Sequence, residues 1–318
     1  MNDPLVSVSI ITYQHERYIR QCLDSVLFQE TDFTYEVLVG EDGSTDGTRE
    51  ICREYANRFP GRIRLFAHDR SKRRPEDGRA PWLDNLLNNF RSARGKYIAL
   101  CEGDDYWTDP RKLQKQVDIL EERADIAGVF HDCWVRDEAS GEERRRNGNR
   151  DIDPEPGVAS IIAHNTIPTA SMVFRRFEFL VDPPDWFLKV LQGDYGIALL
   201  VARQGRWKYI DEAMSVYRKH QGGLWSGMRQ VETVTENIKF WTVVVEDPDF
   251  ARWRSTILAR RRQEYLGLAV ALSREHRFTA GLVALAHGLG PRRALGDARI
   301  SWGVLLRGLL RPYLRPAT

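Results

Sequence analysis

The chain has 318 residues, 42% of them hydrophobic and 29% charged, with a formal net charge of +2. Those proportions are ordinary for a soluble globular protein with room for one large domain or two smaller ones. No apolar run reaches the ~18 residues of a membrane-spanning helix, and Cys22, Cys52, Cys101 and Cys133 show no C-x-x-C spacing, so a zinc site is not expected.

In chain order, Leu5 to Thr12 is a charge-free, β-branched run, the mark of a strand buried on both faces. After the polar loop Tyr13-Gln-His15-Glu16, apolar residues Ile19, Cys22, Leu23, Val26 and Leu27 recur at helical spacing. Tyr35 to Gly40 is a second strand, followed by Glu41-Asp42-Gly43-Ser44-Thr45-Asp46-Gly47. A helix carrying Ile51, Cys52, Tyr55, Ala56 and Phe59 stops at Pro60-Gly61, and Ile63 to Ala67 is a third strand. The β-α-β-α-β order implies parallel strands in a right-handed, doubly wound sheet.

Residues 69–84 are polar, with Arg70, Lys72, Arg73 and Arg74, and read as a loop before a helix at Leu86 to Ala93. The strand Tyr97 to Cys101 then ends in Glu102-Gly-Asp104-Asp105, three carboxylates within four residues. Carboxylates packed this closely repel unless a cation lies between them. A strand that delivers them to the carboxyl edge of an open sheet is where such sheets bind ligands; an acidic turn is the plainer alternative. Asp109-Pro110 reads as a helix start, with Leu113, Val117 and Leu120 continuing it. A strand is expected at Ala127 to Val135 and a charged surface excursion at Asp137 to Asp153. Short strands are expected at Ile167 to Phe174 and Trp207 to Ile210, around a helix Asp194 to Arg203. From about Gln230 the pattern is wholly helical, including a hairpin of Leu258 to Leu272 and Phe278 to Leu289.

Six pieces, in this order, carry a resemblance: Val8-Ser-Ile-Ile-Thr-Tyr13, Gly40-Glu-Asp-Gly-Ser-Thr-Asp-Gly-Thr48, Ala93-Arg-Gly-Lys-Tyr97, Glu102-Gly-Asp-Asp-Tyr-Trp107, Gly193-Asp-Tyr195 and Val216-Tyr-Arg-Lys-His220. Over residues 5–225 or so the chain resembles the family 2 glycosyltransferases of the GT-A fold. The resemblance implies an α/β fold with a Rossmann-like, doubly wound mixed sheet in residues 1–227. A nucleotide-binding half runs to about 110 and an acceptor half over 111–227, and a helical C-terminal region follows in 228–318. It implies an inverting, divalent-metal-dependent transfer of one sugar from a nucleotide-sugar, a UDP-sugar in the first instance. The acceptor would be a saccharide or lipid-linked saccharide in surface-glycan biosynthesis.

The resemblance also assigns roles. Asp42 falls where the family's Asp accepts from the nucleobase imide N–H, although a turn Asp is an alternative. Thr12 and Tyr13 line the nucleoside pocket, with Glu16, Ser44 and Gly103 completing the set around the nucleotide-sugar, and Asp46 caps the next helix. Asp104 takes the last position of the family's Asp-x-Asp and binds Mg2+ or Mn2+, hard cations that take oxygen ligands. Glu102 stands at the first position, where Asp is usual, and reaches the donor ribose or a metal-bound water; Asp105 supports that shell. His220 falls at a C-terminal metal-ligand position and Arg218 at the diphosphate. Asp194 is the catalytic base, where many relatives have Glu-Asp and this chain has Gly193-Asp194; helix capping is its alternative. The hydroxyls of Asn165 to Ser171 either meet acceptor or satisfy a turn.

Residues 251–318 hold thirteen Arg and no Lys against Glu264, Glu275 and Asp297, a net of +10, which leaves −8 on the first 250. In the last stretch Trp302, Leu305, Leu306, Leu309, Leu310, Tyr313 and Leu314 share one helical face, and Arg307, Arg311 and Arg315 the other. Such a basic amphipathic helix at 300–315 fits peripheral membrane contact, or packing on its own domain or in a homo-oligomer. Met1-Asn-Asp-Pro lacks the regions of a signal peptide, so the cytoplasm, or the cytosolic face of the inner membrane, is expected. Nucleic acid is not an expected partner, because no recognised module accompanies the arginines. A nucleotidyltransferase of similar fold would carry a Gly-rich basic loop where this chain has Thr12-Tyr13-Gln14-His15; a non-catalytic nucleotide-sugar-binding relative would lack the carboxylates. Gln204-Gly-Arg-Trp207 is one residue short of the Gln-x-x-Arg-Trp of processive synthases.

Overall fold

Strands β1 (Val6–Thr12), β2 (Tyr35–Glu41) and β4 (Tyr97–Glu102) are charge-free in their centres and buried almost end to end. Together with β3 (Ile63–Ala67) they form a parallel group in the order β3-β2-β1-β4. The computed structural model describes residues 3–70, 80, 82–148 and 150–289. Lys72, Arg73, Arg74 and the helix expected at 300–315 lie outside the described residues. Between the strands run α1 (Ile19–Leu27), α2 (Thr48–Arg58) and α3 (Leu83–Ser92). Their buried faces follow the apolar spacing: Ile19, Cys22, Leu23 and Val26 on α1, and Ile51, Cys52 and Tyr55 on α2. Each fully buried Val or Ile of β1 contributes roughly 1.5–3 kcal/mol.

Helix α3 departs from a simple apolar face. Asn85 and Asn89 are buried on it, and their side-chain amides donate to Gly40 O (2.7 Å) and Ile10 O (3.0 Å). These bonds seat the helix on β1 and β2. Gly40 is needed there, because a Cβ would lie 1.7 Å from Asn85 Oδ1.

Beyond β4 the sheet becomes mixed. The antiparallel strand β8 (Val173–Arg175) joins β4 to β6 (Ile126–Asp137), and β9 (Arg206–Lys219) runs parallel to β6. The short strand β5 (Tyr106–Trp107) closes the far edge on β9, and β7 (Glu143–Arg145) forms a hairpin arm on β6. Helix α4 (Lys112–Glu122) begins two residues after Pro110. Asp109 caps the preceding turn instead, its Oδ1 accepting from Arg111 N–H at 2.8 Å. The strand expected at Ile167 to Phe174 is a 3-10 turn, Thr169–Ser171, followed by β8. Helix α5 (Val158–Ala163) precedes it, and α6 (Gly193–Gln204) follows.

The strand expected to end at Ile210 continues to Lys219. Its register against β6 jumps from His131↔Ile210 to Asp132↔Ala213, so Asp211 and Glu212 are looped out in a bulge. That bulge hides the strand's second half from a reading by alternation.

By contact the chain forms two units, Met1–Lys189 with Gly193–Gly223, and Val190–Gln192 with Leu224–Thr318. The second unit contains α7 (Gln230–Val244), α8 (Arg254–Arg274) and α9 (Phe278–Leu289), with Val231, Ala269, Leu272 and Ala284 in its core. Glu264, buried in α8, accepts from Asn237 and pairs with Arg260 at 2.6 Å. Among the described residues, no helix is long and apolar enough to cross a membrane.

Candidate active site

The chain winds outward through β1, β2 and β3 and then returns to place β4 on the other side of β1. The strand order therefore reverses between β1 and β4, the point at which open α/β sheets bind ligands. Two antiparallel steps, β4 to β8 and β8 to β6, restore the strand direction, and β9 follows β6. The carboxyl ends of β1, β2, β4 and β9 thus share one edge of the sheet.

At that edge Ile11 is the register partner of Glu102, so the loop after β1 emerges beside the carboxylates after β4. Gly103 permits the approach, because a Cβ there would lie 2.5 Å from Thr12 Oγ1 and 2.9 Å from His15 Nδ1. Gln14 adopts a left-handed φ of 58°, a conformation few residues other than glycine take without support. The support comes from the loop after β2. Gln14 N–H donates to Ser44 Oγ (3.0 Å), and its Oε1 accepts from the Thr45 and Asp46 N–H groups at 3.0 and 3.1 Å. The turn directs His15 inward. Its Nδ1 lies 3.2 Å from Thr12 Oγ1 and its Nε2 3.6 Å from Asp104 Oδ2.

His220, one residue past β9, reaches the same Asp104 Oδ2 through Nε2 at 3.0 Å, with the Tyr18 ring packed 4.7 Å from its imidazole. One donor atom each from His15, Asp104 and His220 lie within 4.8 Å of one another, a spacing that a single divalent cation spans. His15 is the residue that sequence reasoning missed. The available signal was a His in the loop after the first strand, which becomes meaningful once β1 and β4 are known to be neighbours.

The carboxylates differ in electrostatics. Burial would raise the Asp104 carboxyl, but the imidazoles of His15 and His220 beside it hold it below its ordinary value. Burial, reinforced by the charges of Asp104 and Asp194, pushes Glu102 up to about 8. Asp105 is also raised by burial and by the charges of Asp104 and Glu102; its Oδ1 accepts from Arg218 N–H at 2.9 Å. A cation would relieve this repulsion.

Arg218, expected at the diphosphate, is held by protein groups at the base of the site. It is buried, its guanidinium donates to Asp104 O and Gln21 Oε1, and its Nε lies 3.3 Å from Glu138. The rings of Tyr18 and Tyr106 lie 5.0 and 4.4 Å from it. Its place is behind the carboxylates, tying the end of β4 to β9. Thr12 is likewise buried, and its hydroxyl meets His15.

Asp194 lies in the first turn of α6. Its Oδ1 accepts from Tyr195 N–H (2.8 Å) and its Oδ2 from Thr169 Oγ1 (3.2 Å), and its charge acts on Glu102. The preceding Gly193 has a local reason: a Cβ would lie 2.3 Å from the Trp82 ring. At the other end of the edge Asp42 is buried, 3.4 Å from Arg70 Nε, and the Arg70 guanidinium stacks 3.6 Å over the half-exposed Tyr13 ring. Ser44 and Glu16 lie farther out. Ser44 supports Gln14, whereas Glu16 packs against Gly47 and its N–H donates to Asp46 Oδ2. Asp46 itself accepts from the N–H and hydroxyl of Thr48 at the start of α2.

The chain is similar to known proteins in sequence and in fold. The sequence profile of glycosyl transferase family 2 matches residues 7–180. An uncharacterized protein of Mycobacterium tuberculosis is 35% identical over 245 residues, which are 74% of this chain and 63% of that protein. The chain therefore spans less than two thirds of that relative's length. TarS of S. aureus, solved in complex with UDP-GlcNAc, superposes with a TM-score of 0.57 at 18% identity, covering 96% of this chain and 81% of that one. The mannosyltransferase PcManGT of Pyrobaculum calidifontis, solved with GDP-Man and Mn2+, gives a TM-score of 0.60 at 18% identity, covering 99% and 82%. At such identity these likenesses establish the fold, that of the GT-A glycosyltransferases. With the profile matching more than half of its residues, the chain belongs to glycosyl transferase family 2.

Proposed function

We propose that the chain transfers one sugar from a nucleotide-sugar, a UDP-sugar in the first instance, to a saccharide or lipid-linked saccharide in surface-glycan biosynthesis, with inversion at the anomeric carbon. The observation that carries this reading is a pair of acidic groups on different elements, Asp104 and Asp194, whose charges both act on Glu102. Asp104 is held between two imidazoles, and Asp194 stands apart on α6, bonded to a hydroxyl and an N–H. Asp42 and Tyr13 bind the base. A carboxylate there accepts from an imide N–H, which uracil and guanine both present. The neighbours solved with UDP-GlcNAc and GDP-Man support a nucleotide-sugar of this kind.

Asp104 and His220 hold Mg2+ or Mn2+, which when bound neutralises charge on the departing diphosphate. Asp194 accepts the proton of the acceptor hydroxyl as that oxygen attacks the anomeric carbon. The bond from that carbon to the diphosphate oxygen breaks on the opposite face, and its electron pair leaves with the nucleoside diphosphate. A single displacement of this kind inverts the centre. Thr169 orients the Asp194 carboxylate, and Arg218 fixes the carboxylate loop on β9. The basic tail is the element we assign to an anionic membrane surface, where a lipid-linked acceptor would reside.

A screen of nucleotide-sugars for thermal stabilisation tests the donor half of this reading. One or more UDP-sugars should raise the Tm in the presence of Mn2+ or Mg2+, and EDTA or Asp104→Ala should abolish the shift. Stabilisation unchanged by both treatments would overturn the metal assignment.

A further inference from the structure

We propose that His15 is a third protein ligand of the cation, and that the resulting set of two imidazoles and one carboxylate selects a first-row transition ion over Mg2+. The inference deepens the metal-dependent reading above and rests on it.

The spacing of the three groups is close to that of a coordination shell. Ligand atoms about 2.1 Å from a metal, at angles of 90–109°, stand roughly 3.0–3.5 Å apart. His220 Nε2 and His15 Nε2 lie 3.0 and 3.6 Å from the same Asp104 oxygen. The longer distance is outside hydrogen-bonding range, so a direct bond between His15 and Asp104 does not account for the ring's position.

The ring is also built for ligation. Thr12 Oγ1 engages Nδ1 and leaves Nε2 facing Asp104, and with the proton on Nδ1 the Nε2 lone pair is presented to that carboxylate. A partner on the far nitrogen is the usual arrangement behind a metal-bound imidazole. The left-handed Gln14, held by Ser44, Thr45 and Asp46, sets the backbone that aims the ring. Backbone in a sparsely populated region persists where the surroundings over-determine it, and such residues gather at functional sites.

Donor chemistry then discriminates between ions. Mg2+ takes oxygen ligands and retains its waters, whereas imidazole suits transition ions, with affinity rising from Mn2+ to Co2+. A shell with two of three protein donors as nitrogen should therefore bind in the order Co2+, Mn2+, Mg2+. An all-oxygen site would separate Mn2+ from Mg2+ far less.

The test is Mn2+ binding to the full chain by electron paramagnetic resonance, with and without UDP. Pulsed spectra of the wild type should show two coordinated imidazole nitrogens. A hundredfold excess of Mg2+ should leave most of the Mn2+ bound, and Co2+ should displace it. His15→Gln should show one nitrogen, bind Mn2+ about tenfold or more weakly and lose its preference over Mg2+, with the metal-free Tm unchanged; His15→Asn replaces it if the Gln variant does not fold. A single nitrogen in the wild type, displacement by equimolar Mg2+, or unaltered Mn2+ affinity in both His15 variants would each overturn the inference. UDP stabilisation measured in parallel keeps the two readings apart. UDP binding with a one-nitrogen cation removes only the role of His15, whereas a two-nitrogen cation with no nucleotide or nucleotide-sugar binding removes the donor assignment and leaves His15 in place.

Discussion

Asp104 and Asp194 are the same side chain in opposite surroundings. Asp104 lies against two imidazoles that hold it in its charged form, whereas Asp194 accepts from one hydroxyl and one N–H and stands on a separate element. If Asp194 takes the acceptor's proton, Asp194→Asn should keep the shape and lose the base. Its kcat should fall by about 10²–10⁴, with nucleotide-induced thermal stabilisation unchanged. A kcat within tenfold of wild type would move the base elsewhere. At this scale legibility was uneven. Glu102 and Asp104 stood out because three carboxylates within four residues need an explanation. His15 did not, since its meaning depends on β1 and β4 being neighbours and on the backbone of Gln14. Arg218 was visible, but burial of its guanidinium among Asp104, Gln21 and Glu138 cannot be read from Val-Tyr-Arg-Lys-His.

Among the elements, α4 shows how a readable helix hides an unreadable charge. Leu113, Val117 and Leu120 announce its apolar face, yet Lys112 is also fully buried, its Nζ donating to Gln116 Oε1 at 2.8 Å and lying 4.0 Å from the Trp107 ring. Burial pushes its ammonium down to about 7, against about 10.4 for an unfolded lysine. Between pH 7 and pH 10 the unfolded chain therefore binds more protons than the native one, and this lysine's contribution to stability rises with pH. Below about pH 7 the full cost of burying the charge is present. Lys112→Met should raise the urea midpoint most at pH 6, by an amount that shrinks toward pH 10. A difference that stays constant across that range would show that the Trp107 ring keeps the charge in place. The parallel half of the sheet was legible because its strands are charge-free runs joined by periodic helices. The other half was not: β5, β7 and β8 are two or three residues long, and β9 is split by charged residues at its bulge.

Over the whole molecule, charge is divided between an acidic body and a basic tail: −8 on residues 1–250 and +10 on 251–318. Each Arg near an anionic surface is worth about 1 kcal/mol, an attraction that salt weakens. The full-length protein should sediment with vesicles containing anionic lipid at low salt and much less at high salt or with neutral vesicles. Arg307, Arg311 and Arg315 replaced together by Glu should weaken it further. Failure to sediment with anionic vesicles at low salt would remove the membrane assignment. The shared sheet edge has a last consequence for how the site comes into being. Asp104 and His220 are separated by 116 residues, and His15 lies in a third stretch of chain. No local hairpin or helix pair presents them together, so the loops between them must close first, at an entropic cost that grows slowly with length. A chain that has folded only through the turn after β4 holds His15, Asp42 and Asp104 but no His220. The centre is thus a nonlocal object that exists only when the first unit is complete. A cation bound there would draw on the global unfolding equilibrium and stabilise that unit as a whole.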